Sequence, residues 1–218
     1  MGNLTKSRPK SLVKVAGRPL LEYKLREYKN QGFNNYIFCT GYMANKMKQE
    51  INKMGYDGIF SNIGEDAGIL ERIHTVRKYI NDSTIISYGD TFGQIDFKDL
   101  VFNHKKSNAL ITIVITSIKH PFGLVNFDSN SKIISFDEKP LLNHYIGYAV
   151  IEPNIFDKIP NRFLGAPDGE GLLKSIKYLI NLDLVRTYNF GGLQVTINTN
   201  SDLKKATKKI GNYYTVKD

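Results

Sequence analysis

The chain has 218 residues, enough for one substantial hydrophobic core, and its 30 basic against 21 acidic side chains leave a formal charge of +9, which attracts anions. No apolar run approaches the roughly 20 residues of a membrane span, the polar and basic N-terminal residues do not read as a signal peptide, and a lone cysteine, Cys39, excludes an internal disulfide. The lysines are dispersed as on helix surfaces, without the aromatic-basic motif of an RNA-binding module, so small phosphorylated molecules are expected rather than nucleic acid, and a reducing cytoplasm is the expected home.

In chain order, residues 1–10 are polar and turn-like, 11–15 read as a strand and 16–19 as a turn. Apolar residues at Leu20, Leu21, Tyr23, Leu25 and Tyr28 predict an amphipathic helix over 20–30, closed by Gln31-Gly32. A strand over 36–40 ends at Gly41, a helix over 44–54 stops at Gly55, and a short strand over 58–61 leads into a glycine-containing acidic loop over 62–68. A helix over 69–79 then precedes the β-branched run Ser83-Thr84-Ile85-Ile86, which reads as a buried strand, and 97–106 reads as a further helix. Strands alternating with helices in this way predict a mostly parallel sheet.

From Ala109 the texture turns β-rich, with strands over 110–115, 122–125, 132–136 and 147–150 and a hairpin turn at Asp128-Ser129-Asn130. Helices near 154–158 and 169–180, strands over 184–187 and 193–197 and a C-terminal helix from Ser201 complete the chain. There is no internal repeat or linker, so 1–218 is expected to be a single domain.

The stretch Ser87-Tyr88-Gly89-Asp90-Thr91 anchors the functional reading. Ligands of open α/β sheets sit outside the carboxyl ends of the strands, so an acid there is well placed to hold a divalent cation against phosphates. Gly-Asp is also an ordinary turn dipeptide that caps a following helix.

Four segments in order resemble the sugar-1-phosphate nucleotidyltransferase family: Arg8-Pro9-Lys10-Ser11-Leu12-Val13-Lys14-Val15-Ala16-Gly17-Arg18-Pro19-Leu20, Thr40-Gly41-Tyr42, Gly89-Asp90-Thr91 and Phe136-Asp137-Glu138-Lys139-Pro140. Phe122-Gly123 and Gly68-Ile69-Leu70-Glu71-Arg72-Ile73 are most similar to its glucose-1-phosphate cytidylyltransferase-like branch. The resemblance implies a Rossmann-like three-layer α/β fold, with a nucleotide-binding half over 1–108 and a small β-rich sugar-phosphate-binding half over 109–218. It implies a Mg2+-dependent enzyme that condenses a nucleoside triphosphate with a sugar 1-phosphate or related acceptor and releases pyrophosphate.

By resemblance, Lys10 contacts the triphosphate beside Arg8, and Asp90 holds the Mg2+. Glu138 accepts sugar hydroxyls, Lys139 neutralises the sugar phosphate, Gly68 lets the backbone pass close to the base, and Gly147 and Glu170 belong to the acceptor site. Lys10 also reads as a solvated loop lysine, Glu138 and Lys139 as a surface ion pair, and Glu170 as an acid favoured at a helix N-terminus. His74, His104, His120 and His144 lack metal-ligand spacing. Cys39 reads as core.

Three departures matter. Nothing ahead of Met1 corresponds to the family's opening strand and Gly-x-Gly-Thr-Arg loop, so the chain is expected to begin at an internal methionine of a longer reading frame. Where the family completes the metal site with an aspartate this chain offers Thr196 or Asn198, the amide of Asn198 being able to ligate the metal without charge, and Tyr145 stands where a sugar-pocket asparagine is expected. A catalytically impaired nucleotide-sugar-binding or regulatory homologue is therefore the alternative, and a glycosyltransferase, which usually needs a second acid after Asp90, ranks below it. No nucleic-acid or membrane partner is expected, and assembly into a homo-oligomer stays open.

Overall fold

The structure of the chain is a computed structural model that describes residues 5–215; Met1, on which the reading-frame expectation rests, lies outside them. Pro9 holds an extended backbone ahead of a 3-10 turn, Lys10–Leu12, in which the amides of Leu12 and Val13 bond back to the carbonyls of Pro9 and Lys10. That turn replaces the strand expected over 11–15, of which only β1 (Lys14–Val15) forms, paired with β2 (Arg18–Pro19).

Pro19 then starts α1 (Leu20–Asn30), where its fixed φ suits a helix N-terminus. β3 (Ile37–Thr40), α2 (Ala44–Lys53) and β4 (Ile59–Asn62) follow, with β3 and β4 parallel. α3 (Ile69–Thr75) is shorter than expected: it stops at the β-branched pair Thr75-Val76 and continues as a 3-10 turn, Arg77–Tyr79.

β5 (Thr84–Ser87) belongs to the central sheet. A three-residue β6 (Thr91–Gly93) and α4 (Phe97–Lys106) come next, the helix capped by the Asp96 carboxylate accepting from the Asp99 amide. β7 (Ile111–Lys119), β8 (Leu124–Phe127), β9 (Ile133–Asp137) and β10 (Leu141–Ile151) form the β-rich part. A 3-10 turn over Pro153–Asp157, α5 (Glu170–Asn181), β11 (Val185–Asn189), β12 (Gln194–Thr196) and α6 (Asn200–Thr215) end the chain.

The central sheet runs β11-β7-β10-β5, with β11 parallel to β7 and β10 antiparallel to both β7 and β5. Side chains alternate across a strand, and from Ile146 to Ile151 β10 is buried on both faces. Tyr148 and Val150 pack with Phe97 and Leu100 of α4, whereas Ala149 and Ile151 pack with Leu70 of α3 and Leu172, Ile176 and Leu179 of α5. This is the three-layer α/β arrangement that the resemblance implied, but the central sheet is not mostly parallel as expected: of its three pairings only β11–β7 is parallel, because β10, which follows the β8–β9 hairpin, runs back antiparallel between β7 and β5. Each such fully buried aliphatic or aromatic side chain contributes about 2 kcal/mol relative to exposure.

Two further clusters tie on the rest. Leu21 and Leu25 of α1 join Ile51 of α2 over Phe38 and Phe60, and α6 brings Ala206 and Ile210 against Val15, Leu20, Phe92 and Val195. The strand expected to be buried, β5, is only half-buried, because among the described residues it pairs with β10 alone. Cys39 of β3 is exposed rather than core; its neighbour Phe38 takes the inward face.

Candidate active site

The site is built where β5 ends. The Tyr88 amide donates to the Gly147 carbonyl (2.9 Å), the chain turns through Gly89 and Asp90, and it re-enters as β6, antiparallel to β12. The Ile197 amide donates to the Asp90 carbonyl (3.0 Å), fixing the turn from the other side. A Cβ on Gly89 would come within 3.3 Å of the Ser11 side chain, so the turn packs directly on the 3-10 turn that carries Lys10. Lys10 Nζ consequently lies 3.8 Å from Asp90 Oδ2, with the lysine half exposed and the acid about a quarter exposed. The two residues expected to meet the triphosphate and the metal are thus brought together at the surface where β5 ends.

Beneath them lies a group the sequence reading passed over. Lys24 of α1 is 3 % exposed; its Nζ donates to the Tyr88 carbonyl and sits 4.8 Å from the centroid of the Tyr148 ring. Burial pushes its pKa down to about 7, and the negative charge of Asp90 opposes that fall. Tyr148 is itself pinned, accepting from the Gly93 amide (3.0 Å) and donating to the Thr91 carbonyl (3.2 Å). The signal was present: Lys24 follows Leu20 and precedes Tyr28 at four-residue steps, within the stripe that α1 turns inward.

Gly147 has φ +76°, in the left-handed region that favours glycine. It lies at the irregularity in the β10–β7 register between Tyr145 and Ala149. A Cβ there would stand 2.8 Å from the Tyr88 ring. Tyr145 meets Tyr88 edge-on at 5.8 Å, and burial raises the pKa of both phenols. The residue that departs from the family pattern therefore packs edge-on against Tyr88, two residues before Asp90.

Next to Asp90 the Thr91 hydroxyl, a neutral oxygen, lies 3.5 Å from Oδ1. Thr91 and Thr196 hydroxyls are 3.3 Å apart, and Asn198 follows directly on the Ile197 bond. Asp202 is occupied, accepting from the amides of Asn198 (3.1 Å) and Thr199 (2.9 Å) at the start of α6. Among the described residues no group of three or more His, Cys, Asp or Glu could hold a metal. One carboxylate with a hydroxyl oxygen beside it fits Mg2+ held jointly with substrate phosphates and water.

The other expected residues lie apart from this pair. Glu138 and Lys139 form an exposed ion pair with each other (3.3 Å), Lys139 having φ +47° ahead of Pro140. Glu170 opens α5 and pairs with Lys174 one turn on (2.9 Å), as an acid at a helix N-terminus does. Arg8 acts on α2, where its charge helps hold the Glu50 carboxyl below its ordinary value after the larger effect of the Lys53 hydrogen bond. Gly68 has a packing reason of its own: a Cβ would collide with the Ala166 carbonyl, and the neighbouring Ile69 amide bonds to the Asp168 carbonyl (2.7 Å).

Arg72 explains Gly41 of the Thr-Gly-Tyr segment. Its guanidinium donates to the carbonyls of Thr40, Gly64, Glu65 and Ala67, fastening the 62–68 loop to the end of β3. A Cβ on Gly41 would stand 2.7 Å from that guanidinium.

Comparison with known proteins gives the architecture its relatives. Residues 1–161 match the family model described as nucleotidyl transferase. The chain is 31 % identical over 169 residues to the mannose-1-phosphate guanylyltransferase catalytic subunit beta of Drosophila melanogaster, covering 72 % of this chain and 46 % of that protein. It is 24 % identical over 236 residues to a Bacillus subtilis protein named "Probable glucose-1-phosphate cytidylyltransferase", covering 95 % and 90 %. The chain spans about half the length of several curated relatives that it matches. The UTP-bound UGPase of Acinetobacter baumannii superposes with a TM-score of 0.69 at 18 % identity, over 96 % of this chain and 88 % of that one, which is a likeness of fold. With three quarters of its length inside the family model, and Lys10 and Asp90 meeting at the end of its sheet, the chain belongs to the nucleotidyl transferase family.

Proposed function

We propose that the chain transfers a nucleotidyl group from a nucleoside triphosphate to a sugar 1-phosphate or related phosphorylated acceptor, releasing pyrophosphate. The observation that carries this reading is the Lys10–Asp90 pair at 3.8 Å: a half-exposed cation and a single acid at a strand end of a nucleotidyl transferase fold. An acceptor phosphate oxygen forms the new bond to the α-phosphorus, the bond to the β-phosphate oxygen breaks, and pyrophosphate leaves with the electron pair. Such chemistry needs position and positive charge more than covalent help.

Lys10 supplies positive charge to the triphosphate and Asp90 supplies the anionic ligand for Mg2+, with Asn198 as a neutral second one. Bound there, Mg2+ would offset charge on the phosphate oxygens. Arg8 and Gly68 belong to the nucleotide side over 1–108. Glu138, Lys139, Gly147 and Glu170 belong to the acceptor side over 109–218, and Glu138 and Lys139 exchange their mutual ion pair for acceptor hydroxyl and phosphate groups. The relatives' names, which span guanylyl and cytidylyl transfer to mannose and glucose 1-phosphate, support the substrate class. The acid-poor donor set around Asp90 supports a second reading, a nucleotide-sugar-binding homologue without turnover.

Pyrophosphate release from CTP, UTP, GTP, ATP or dTTP with Mg2+ and glucose or mannose 1-phosphate separates the two. Release in at least one combination, lost in Asp90→Ala, supports the transferase. Binding of a nucleotide, seen as a raised melting temperature, without release from any combination supports the second reading.

A further inference from the structure

We infer that Lys24 is a positioning residue for this site: its buried ε-amino group holds the Tyr88 carbonyl and so sets the turn from which Asp90 projects. The inference rests on the proposed role of Asp90. Three observations converge on it.

First, α1 turns Lys24 inward at a core position, 3 % exposed, where an aliphatic residue would bury at no electrostatic cost. A lysine kept there needs compensation, which comes from the Tyr88 carbonyl, the face of the Tyr148 ring at 4.8 Å and the charge of Asp90. Second, the carbonyl it holds belongs to the residue after β5, and among the described residues β5 pairs with β10 alone. On its other side, side chains of α1 take the place of a strand: Lys24 bonds to Tyr88, and Tyr28 donates to the Ser87 hydroxyl (2.8 Å). Third, the other backbone holds on the turn among the described residues are the Tyr88 amide on Gly147, Gly89 against Ser11 and the Asp90 carbonyl on Ile197, with side-chain contacts from Tyr145 to Tyr88 and from Lys10 to Asp90. Releasing the Tyr88 carbonyl frees the strand end from which the Asp90 carboxylate projects toward Lys10.

Lys24→Met keeps the length and packing of the side chain and removes the donor. Replacing a buried charge by an apolar group of similar volume is often neutral or stabilising, so the variant is expected to melt at the wild-type temperature or above. Exchange of the Ile197 amide, whose partner is the Asp90 carbonyl, is expected to quicken about tenfold, because a looser turn opens more often. Pyrophosphate release at saturating substrates is expected to fall roughly 10- to 100-fold, with the KM for nucleotide changing less than threefold, since Lys10 is untouched.

Unchanged Ile197 exchange with unchanged turnover overturns the inference, and so does a lower melting temperature with turnover intact, which marks a purely structural lysine. Lys24→Gln, which keeps a donor too short to reach Tyr88, is the second variant should the methionine form not fold, with the same expected losses. If the wild-type chain releases no pyrophosphate, the transferase reading fails, and Ile197 exchange still decides the role of Lys24.

Discussion

Gly147→Ala offers a worked test of how the site where β5 ends is built. Alanine at φ +76° pays the left-handed penalty, about 1–2 kcal/mol, and its Cβ would lie 2.8 Å from the Tyr88 ring, adding an overpacking term of about 1–3 kcal/mol. A total near 3 kcal/mol in a chain of 218 residues corresponds to a fall of roughly 6–12 °C in melting temperature. Gly17→Ala is the control. Its φ is +88° but nothing lies within 4 Å of the added methyl, so only the backbone term, about 1–2 kcal/mol, applies. Scanning calorimetry on both variants separates the terms, and because Tyr88 leads into the Asp90 turn, Gly147→Ala should also lose more than tenfold in pyrophosphate release. Equal melting temperatures for the two variants would refute the claim that Gly147 is required by the Tyr88 ring.

Gly41→Ala should displace the Arg72 guanidinium and so loosen the 62–68 loop it holds by four carbonyl bonds; amide exchange across 62–68 should quicken, at a cost of about 1–2 kcal/mol. Lys24 makes stability depend on pH. Its pKa falls from 10.5 to about 7 on folding, by burial against the opposing charge of Asp90. Between those values the unfolded chain therefore binds more protons and stability rises with pH. Denaturant titrations from pH 7 to 9 should show the wild-type chain gaining roughly 2–3 kcal/mol relative to Lys24→Met, and a constant difference would contradict the burial of that amine.

Much of this was legible in advance. The apolar spacing of α1 placed that helix at its observed bounds, the helix expected over 97–106 forms there as α4, and the Asp128 turn closes the β8–β9 hairpin, its carboxylate accepting from the Asn130 and Lys132 amides. Lys10 and Asp90, each in a segment singled out by the family resemblance, lie 3.8 Å apart in the fold. Elements decided by tertiary pairing were not legible in the sequence. β6 has three residues and exists because β12 lies beside it, and β10 begins at Leu141, well before Gly147, because Leu141–Tyr145 pair with the far end of β7. Lys24 escaped notice since a lysine within an amphipathic stripe ordinarily snorkels to water, and only the fold shows the Tyr88 carbonyl and the Tyr148 ring around it. Cys39 was taken for core because a β-rich run hides which face of a strand is covered.

The most direct test is an anomalous difference map from crystals of the chain soaked with Mn2+ and a nucleoside triphosphate. A Mn2+ peak is expected within about 2.5 Å of the Asp90 carboxylate, bridging to phosphate oxygens that also contact Lys10 Nζ. A triphosphate bound away from Lys10, or a metal with no Asp90 oxygen in its coordination sphere, would contradict the proposed site.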